Sequence, residues 1–206
     1  MHLSRPGRLI ASIVSAVPDL ALGATFLITW LQPYRLGDQM VKYLIGIMLL
    51  EFIIIHSAAF MGTVAISRKR KSQKVLALVG FGLFYSLFAG GFSLAFKSPW
   101  PLIAFWGLTL NRLSRVIVGG AFSEDEKQLM LGEWAMSTVF YLLFVFMTVL
   151  LPVPRFGITP SVVSNQGLPG EGLWIDDPHR AIAFGFLYFT SLGAVSLMTW
   201  KWVPER

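Results

Sequence analysis

The feature that most constrains this chain is a series of six apolar stretches, each long enough to cross a bilayer. A spanning helix needs about 20 mostly apolar residues, and unpaired backbone groups in hydrocarbon force such stretches to be helical. The stretches are residues 9–31, 40–66, 75–96, 100–122, 124–151 and 178–200. The sequence therefore predicts an all-α, polytopic membrane helix bundle, a single transmembrane domain over 1–206 with an outer loop at 152–177.

Composition supports this class of protein. The chain is 55% hydrophobic and 14% charged, whereas soluble domains carry about 25% charged residues. It contains no cysteine, which excludes a disulfide framework, thiolate metal sites and cysteine nucleophiles. No GxSxG, HExxH or Walker glycine motif is present. The sequence favours a non-enzymatic protein.

The distribution of basic residues predicts the orientation. The segment 68–74 holds five of the 17 Lys and Arg residues, and cytoplasmic loops are enriched in both. We therefore expect both termini inside, a multi-pass protein of the bacterial inner membrane, and contact between 68–74 and anionic lipid headgroups. The net charge of +6 is assigned to topology, and nucleic-acid binding is not expected.

Tryptophan and tyrosine agree with that orientation, because aromatic residues gather at the two membrane interfaces. The outer set is Trp30, Tyr34, Trp100 and Trp174, and the inner set is Trp134, Trp200 and Trp202. The first stretch runs on to Leu31, longer than the core of a signal peptide. We keep it as a helix.

Local patterns predict helix starts and helix contacts. Ser98-Pro99 and Asp177-Pro178 each place a capping residue before proline, and 123–126 reads as a capping box with acids in the first turn. Small residues permit close helix approach in lipid. They share one face in helix 1 (Ser12, Ala16, Asp19, Gly23) and one in helix 3 (Gly82, Ser86, Gly90, Ser93).

Polar and ionisable residues inside the spans are the candidate functional set. They are Asp19, Glu51, His56, Asn111, Arg112, Arg115 and Glu133. Each buried charge costs roughly 2.5–3.5 kcal/mol on insertion scales, so such residues normally face the bundle interior and pair. We expect Arg112 to pair with Asp19 or Glu51, and Arg115 with Glu133. Such a network can lock helix register, carry protons, ions or a solute, or hold a lipid headgroup.

Two cofactor hypotheses have weak support. His56, His2 and His179 fall at different depths, so a haem between two histidines of one chain is not expected. Asp176, Asp177 and His179 can form an outer metal or contact site, since acid and imidazole ligands suit zinc or manganese. Capping by Asp177 explains that pattern more simply. We predict no metal and no cofactor.

The run from Lys42 to Phe52, followed by His56 and a basic inner loop, resembles a bacterial six-helix integral-membrane family of unknown function. The Pro178-His179 pair is similar to that family's start of its last helix. Phe52 stands where the family pattern has a polar residue. The resemblance implies architecture and no mechanism.

Two functions remain open from the sequence. The first is a non-enzymatic subunit or scaffold of a larger membrane assembly, whose partners are other membrane chains or further copies of itself. The second is a small transporter or channel that moves protons, ions or a small solute through the Asp, Glu and Arg cluster.

Overall fold

The computed structural model describes residues 5–118 and 123–198. Those residues form eight α-helices and no strand. The helices are α1 (Arg5–Leu31), α2 (Met40–Ile66), α3 (Lys71–Ala95), α4 (Trp100–Val118), α5 (Glu124–Leu150), α6 (Pro160–Gln166), α7 (Leu173–Asp176) and α8 (Pro178–Met198). The predicted all-α class is confirmed.

Five of these helices, α1, α2, α3, α5 and α8, are long and apolar enough to cross a membrane. The chain is therefore a multi-pass membrane protein. Helix α4 has 19 described residues, including two arginines, and is not among the five. A sixth span at 100–122 stays a prediction, and its last residues, 119–122, lie outside the described part.

Three residues used in the sequence-based predictions also lie outside the described part of the chain. They are His2, from the haem argument, and the predicted interfacial Trp200 and Trp202. The inner half of the predicted aromatic belt is therefore described only at Trp134.

The chain divides into two compact units. The first consists of Met1–Ile45 with Val139–Arg206, and the second of Gly46–Thr138. Helices α2 and α5 each contribute residues to both units.

In the first unit, α1 and α8 pack as an antiparallel pair. Close contacts join Leu20 to Gly193, Gly23 to Thr190 and Phe26 to Gly185. Because residue numbers rise along α1 as they fall along α8, the start of α1 and the end of α8 lie at the same end of the pair. Small residues allow this approach, and the predicted Gly23 is one of them.

The segment after α5 is held to the ends of α1 and α2. The indole Nε1 of Trp30 donates to the carbonyl of Pro154 at 3.0 Å, and the amide of Gly157 donates to the carbonyl of Trp30 at 3.0 Å. Gln166, only 1% exposed, donates to the carbonyl of Asp38 at 2.8 Å and accepts from the amide of Lys42 at 3.3 Å. Residues 152–177 are thus an ordered part of the first unit.

In the second unit, α2 and α3 form an antiparallel hairpin with one register. The contacts are Lys74 Nζ to the carbonyl of Ala65 at 2.8 Å, Phe81 with Phe60, and Tyr85 with His56. Helix α4 returns antiparallel to α3, with Trp106 and Thr109 against Gly82. The buried core of this unit includes Leu50, Ile53, Met61, Leu78, Tyr85 and Phe105.

The predicted helix starts are largely as expected. At α5, Ser123 Oγ accepts from the amide of Glu126 at 3.2 Å, and Glu126 Oε2 accepts from the amide of Ser123 at 2.9 Å, which confirms the capping box. Helix α8 begins at Pro178. At the start of α4, the hydroxyl that accepts an amide hydrogen bond is Ser93 at the end of α3, which takes it from Leu102 at 3.2 Å.

Candidate functional site

The predicted polar residues of the spans are divided between the two units and differ in exposure. Asp19 lies on α1 in the first unit, and the other six lie in the second. Asp19, Glu51 and Arg112 are half-buried, while His56, Asn111, Arg115 and Glu133 are exposed. Exposure of the second group is unexpected, because polar residues of spans normally face the interior.

His56 is held by the hydroxyl of Tyr85 and by three aromatic rings, those of Phe52, Phe60 and Tyr85 itself. Its Nδ1 lies 2.9 Å from the hydroxyl of Tyr85 on α3. The ring stacks on Phe52 with centroids 5.8 Å apart and meets Phe60 edge-on at 5.5 Å. Because a hydroxyl both donates and accepts, the bond leaves Nε2 either as a free N–H or as a free lone pair. The imidazole is thereby oriented with Nε2 available.

The exposed residues of α2 that follow its first turn form one stripe, which we call the α2 stripe. It consists of Phe52, His56, Phe60 and Thr63. Spacings of four, four and three residues keep side chains on one face of a helix. The two phenylalanines are 49% and 45% exposed. The α2 stripe is therefore an apolar surface with an imidazole at its centre.

Glu133 lies at nearly the same depth as His56. The indole of the next residue, Trp134, donates to the carbonyl of Ile55 at 3.1 Å, and Ile55 precedes His56 on α2. Ile55 is about 16 Å from the end of α2 at Ile66, and Glu133 is about 14 Å from the start of α5 at Glu124, at 1.5 Å per residue. Gln128, the last of the five charged or polar residues that open α5, is about 8 Å from Glu133, and Trp134 beside it belongs to the predicted interfacial set. Glu133 therefore lies in the apolar part of α5, close to its polar first turns. No hydrogen bond or ion pair of Glu133 is recorded among the described residues.

Arg112 contacts a thioether in the described structure. Its Nη1 donates to Sδ of Met61 at 3.4 Å. Met61 is ten residues beyond Glu51 on α2, a rise of about 15 Å along the helix. The guanidinium of Arg112, which contacts Met61, is therefore far from the level of Glu51. The predicted pairing of Arg112 with Glu51 is not the contact that forms.

Arg115 pairs near the start of α5. Its Nη2 lies 3.2 Å from Oε1 of Glu126, and the two side chains are 57% and 49% exposed. The predicted partner, Glu133, lies seven residues further along α5, about 10 Å deeper. The recorded ion pair joins α4 to the capping box, and exposed pairs of this kind contribute little stability.

Asp19 follows a proline within an unbroken helix. Helix α1 runs through Pro18 from Arg5 to Leu31, so the proline does not break the helix. Asp19 is half-buried, and the described residues include no hydrogen-bond or ion-pair partner for it. The contacts of the described residues therefore do not explain why α1 carries an acidic group inside its span.

At the predicted outer site, two arginines and one histidine surround the carboxylate of Asp177. Asp177 lies 2.5 Å from Nη2 of Arg155 and 3.8 Å from both Nδ1 of His179 and Nε of Arg180. Two guanidinium groups beside one carboxylate oppose a bound cation. No group of three or more His, Cys, Asp or Glu side chains suited to a metal occurs in the described residues. Asp177 is a structural anchor, and Asp176 is exposed.

Three residues at these sites were not foreseen from the sequence. Tyr85 holds His56, Trp134 fixes the depth of Glu133, and Gln166 joins α6 to α2. In a helical hairpin, residues equidistant from the connecting loop face one another, which places His56 opposite a residue near 81, one turn from Tyr85. That signal was available for Tyr85; the sequence offers none for Trp134 or Gln166.

Comparison with known protein families, curated proteins and solved structures finds no match for this chain. The resemblance drawn from the run between Lys42 and Phe52 therefore stays a prediction.

Proposed function

We propose that this protein is a non-enzymatic subunit or scaffold of a larger assembly in the bacterial inner membrane. The observation that carries the proposal is the outward exposure of His56 and Glu133 within two helices that are apolar enough to span. A partner chain that covers them supplies the contacts that lipid tails lack.

The energetic reason is the cost of polar groups in hydrocarbon. A charged side chain at the bilayer centre costs roughly 2.5–3.5 kcal/mol, and polar residues in spans normally face protein or a water-filled cavity. Glu133 lies about 8 Å beyond Gln128, the last polar residue in the first turns of α5, so its carboxylate is partly removed from water and bears part of this cost. A protein surface against α5 removes this cost, and so favours assembly over an isolated chain.

The exposed apolar surface of α5 is consistent with this role. Leu129, Leu131, Val139, Leu142, Leu143 and Phe146 are all exposed. This surface is compatible with lipid as well as protein, so it supports the proposal only together with the polar residues. Helix association in membranes relies on packing and interhelical hydrogen bonds, and in the second unit the exposed Leu129 and Leu131 lie near the polar Glu133.

The topology belongs to the same proposal. With both termini cytoplasmic, the basic segment 68–74 lies at the inner surface, where each basic residue contributes about 1 kcal/mol of attraction to anionic lipid. Lys74 is less available to lipid headgroups, because its ammonium donates to the carbonyl of Ala65. The exposed Arg68, Lys69, Arg70 and Lys71 are the residues available to headgroups.

One observation favours a transporter or channel as the alternative. Asp19 is a half-buried acid inside a span, without a recorded partner in the described residues. Such a residue is suited to a proton or cation relay. The exposed positions of Asn111, Arg115 and Glu133 do not favour a continuous internal path, so this function ranks second.

The test is purification of the protein from native membranes in mild detergent, followed by native mass spectrometry. We expect a stable species that contains more than one chain at fixed stoichiometry. A control preparation of His56→Phe with Glu133→Leu should lose that species while keeping a folded monomer. A wild-type protein that is monomeric in detergent and in nanodiscs contradicts the proposal.

A further inference from the structure

We infer that the partner at the α2 stripe is a second copy of this chain, with His56 of one copy hydrogen-bonded to Glu133 of the other. The inference rests on the proposed function and names the partner that the assembly uses at this surface. It follows from three observations on the second unit: depth, exposure and complementary chemistry.

Depth comes first. Copies of a membrane protein insert with the same orientation, so a symmetric contact about an axis normal to the membrane keeps every residue at its own level. Trp134 donates to the carbonyl of Ile55, which places Glu133 and His56 at the same level of one chain. A second copy therefore presents a Glu133 at the depth of His56 without any adjustment. An unrelated chain need not carry an acidic residue at this depth.

Exposure is the second observation. His56 and Glu133 are both exposed, and neither Nε2 of His56 nor the Glu133 carboxylate has a recorded partner in the described part of the chain. The flanking Phe60 is 45% exposed, and Phe84 on the neighbouring α3 is 52% exposed. The polar pair is thus surrounded by apolar area that a second copy can cover.

Chemistry is the third. A phenol is the better donor and an imidazole the better acceptor, so Tyr85 donates to Nδ1 of His56 and leaves the proton on Nε2. The Nε2–H then donates to the carboxylate of Glu133 in the second copy. The chain Tyr85–His56–Glu133 satisfies all three groups, and two-fold symmetry forms it twice because residue contacts are reciprocal.

The absence of cysteine gives a direct test in native membranes. Two differently tagged chains are co-expressed, one with His56→Cys and one with Glu133→Cys, and treated with a short bis-maleimide. Each chain carries one thiol, so every product that bears both tags joins two copies. The matched control replaces Glu133→Cys by Leu131→Cys, which is 50% exposed and points about 200° away around α5.

We expect a doubly tagged product for the 56/133 pair and at most a tenth as much for the 56/131 pair. In chains without cysteine, Glu133→Leu removes the acceptor from both copies, so the dimer dissociation constant should rise about eightfold to 300-fold, the effect of losing two interhelical hydrogen bonds in a membrane. This second measurement needs no thiol and remains valid if a cysteine variant folds poorly.

The outcomes separate this inference from the proposed function. Equal products for both pairs, or a dimer unaffected by Glu133→Leu, overturns the His56–Glu133 contact. If the thiol introduced by His56→Cys links to a different chain at fixed stoichiometry, the second-copy inference fails and the assembly proposal stands. A wild-type monomer that forms no product with any chain overturns both.

Discussion

The guanidinium of Arg180 donates to the carbonyl of Thr148 at 2.6 Å. The same Nη1 lies 3.2 Å from the carbonyls of Val149 and Leu151. The last carbonyls of a helix have no partner within the helix, and a cation there also interacts favourably with the helix dipole. The first turn of α8 therefore caps the end of α5 within the first unit.

Loss of this cap should destabilise the protein. Arg180→Ala leaves the terminal carbonyls of α5 without a donor, and hydrogen bonds to charged groups contribute about 1.5–3 kcal/mol. We expect a lower midpoint of thermal unfolding in detergent, measured by fluorescence of the tryptophans. The control is Arg35→Ala, because Arg35 is exposed and its guanidinium donates to the nearby Gln32. Equal midpoints for the two variants would contradict the capping role.

Gln166 makes a comparable contact at the start of α2. Gln166→Ala removes an acceptor from the amide of Lys42 and a donor from the carbonyl of Asp38, and unsatisfied buried groups cost about 1–3 kcal/mol. Hydrogen exchange at Lys42 should accelerate at least fivefold. Asn165→Ala, at the exposed neighbouring position, should leave that rate unchanged. An unchanged rate in the Gln166 variant would show that the segment is held elsewhere.

Close packing of α1 against α8 predicts different outcomes for two glycines. A methyl group at Gly185 overlaps the ring of Phe26, and overpacking of this kind costs about 1–3 kcal/mol. Gly62 has open space around its missing Cβ, so Gly62→Ala should be neutral or stabilising by up to about 1 kcal/mol. Thermal unfolding of both variants in one detergent measures the difference. A tolerant Gly185→Ala variant would contradict the helix contact.

Asp19 distinguishes the two functions. In the assembly account, purified protein in liposomes moves no more protons or cations than empty liposomes do, and Asp19→Asn keeps the wild-type oligomeric state. Flux is measured with a pH-sensitive dye under an imposed gradient. Wild-type flux that Asp19→Asn abolishes would favour the transporter and count against assembly as the main role.

The amino-acid sequence predicts the positions of the helices well, but it does not predict which face of each helix is buried. Apolar length and the capping box at Ser123 locate α2 and α5 within a residue or two of their observed ends. Helix α2 is apolar on all sides, so nothing in its pattern encodes which face carries His56 outward. The direction of Glu133 and the contact of Arg112 with Met61 depend on helix rotation, which a hydropathy pattern does not contain.

The short helix α6 has a local start signal, but its contacts with the rest of the chain have none. Prolines and glycines in 152–177 indicate an irregular loop, yet α6 forms there because Thr159 caps it and Pro160 occupies its first position. That Thr-Pro pattern is the same start signal that Asp177-Pro178 provides for α8. The role of Gln166, by contrast, requires the chain to return to the start of α2, which no local pattern predicts.

The most direct measurement is photo-crosslinking in intact cells with benzoyl-phenylalanine at Phe60 on the α2 stripe. The control site is Leu83, which is 60% exposed and points about 160° away from Tyr85 on α3. A covered α2 stripe predicts a protein adduct at Phe60, identified by mass spectrometry, and lipid adducts alone at Leu83. Lipid adducts alone at both sites would contradict assembly through this surface.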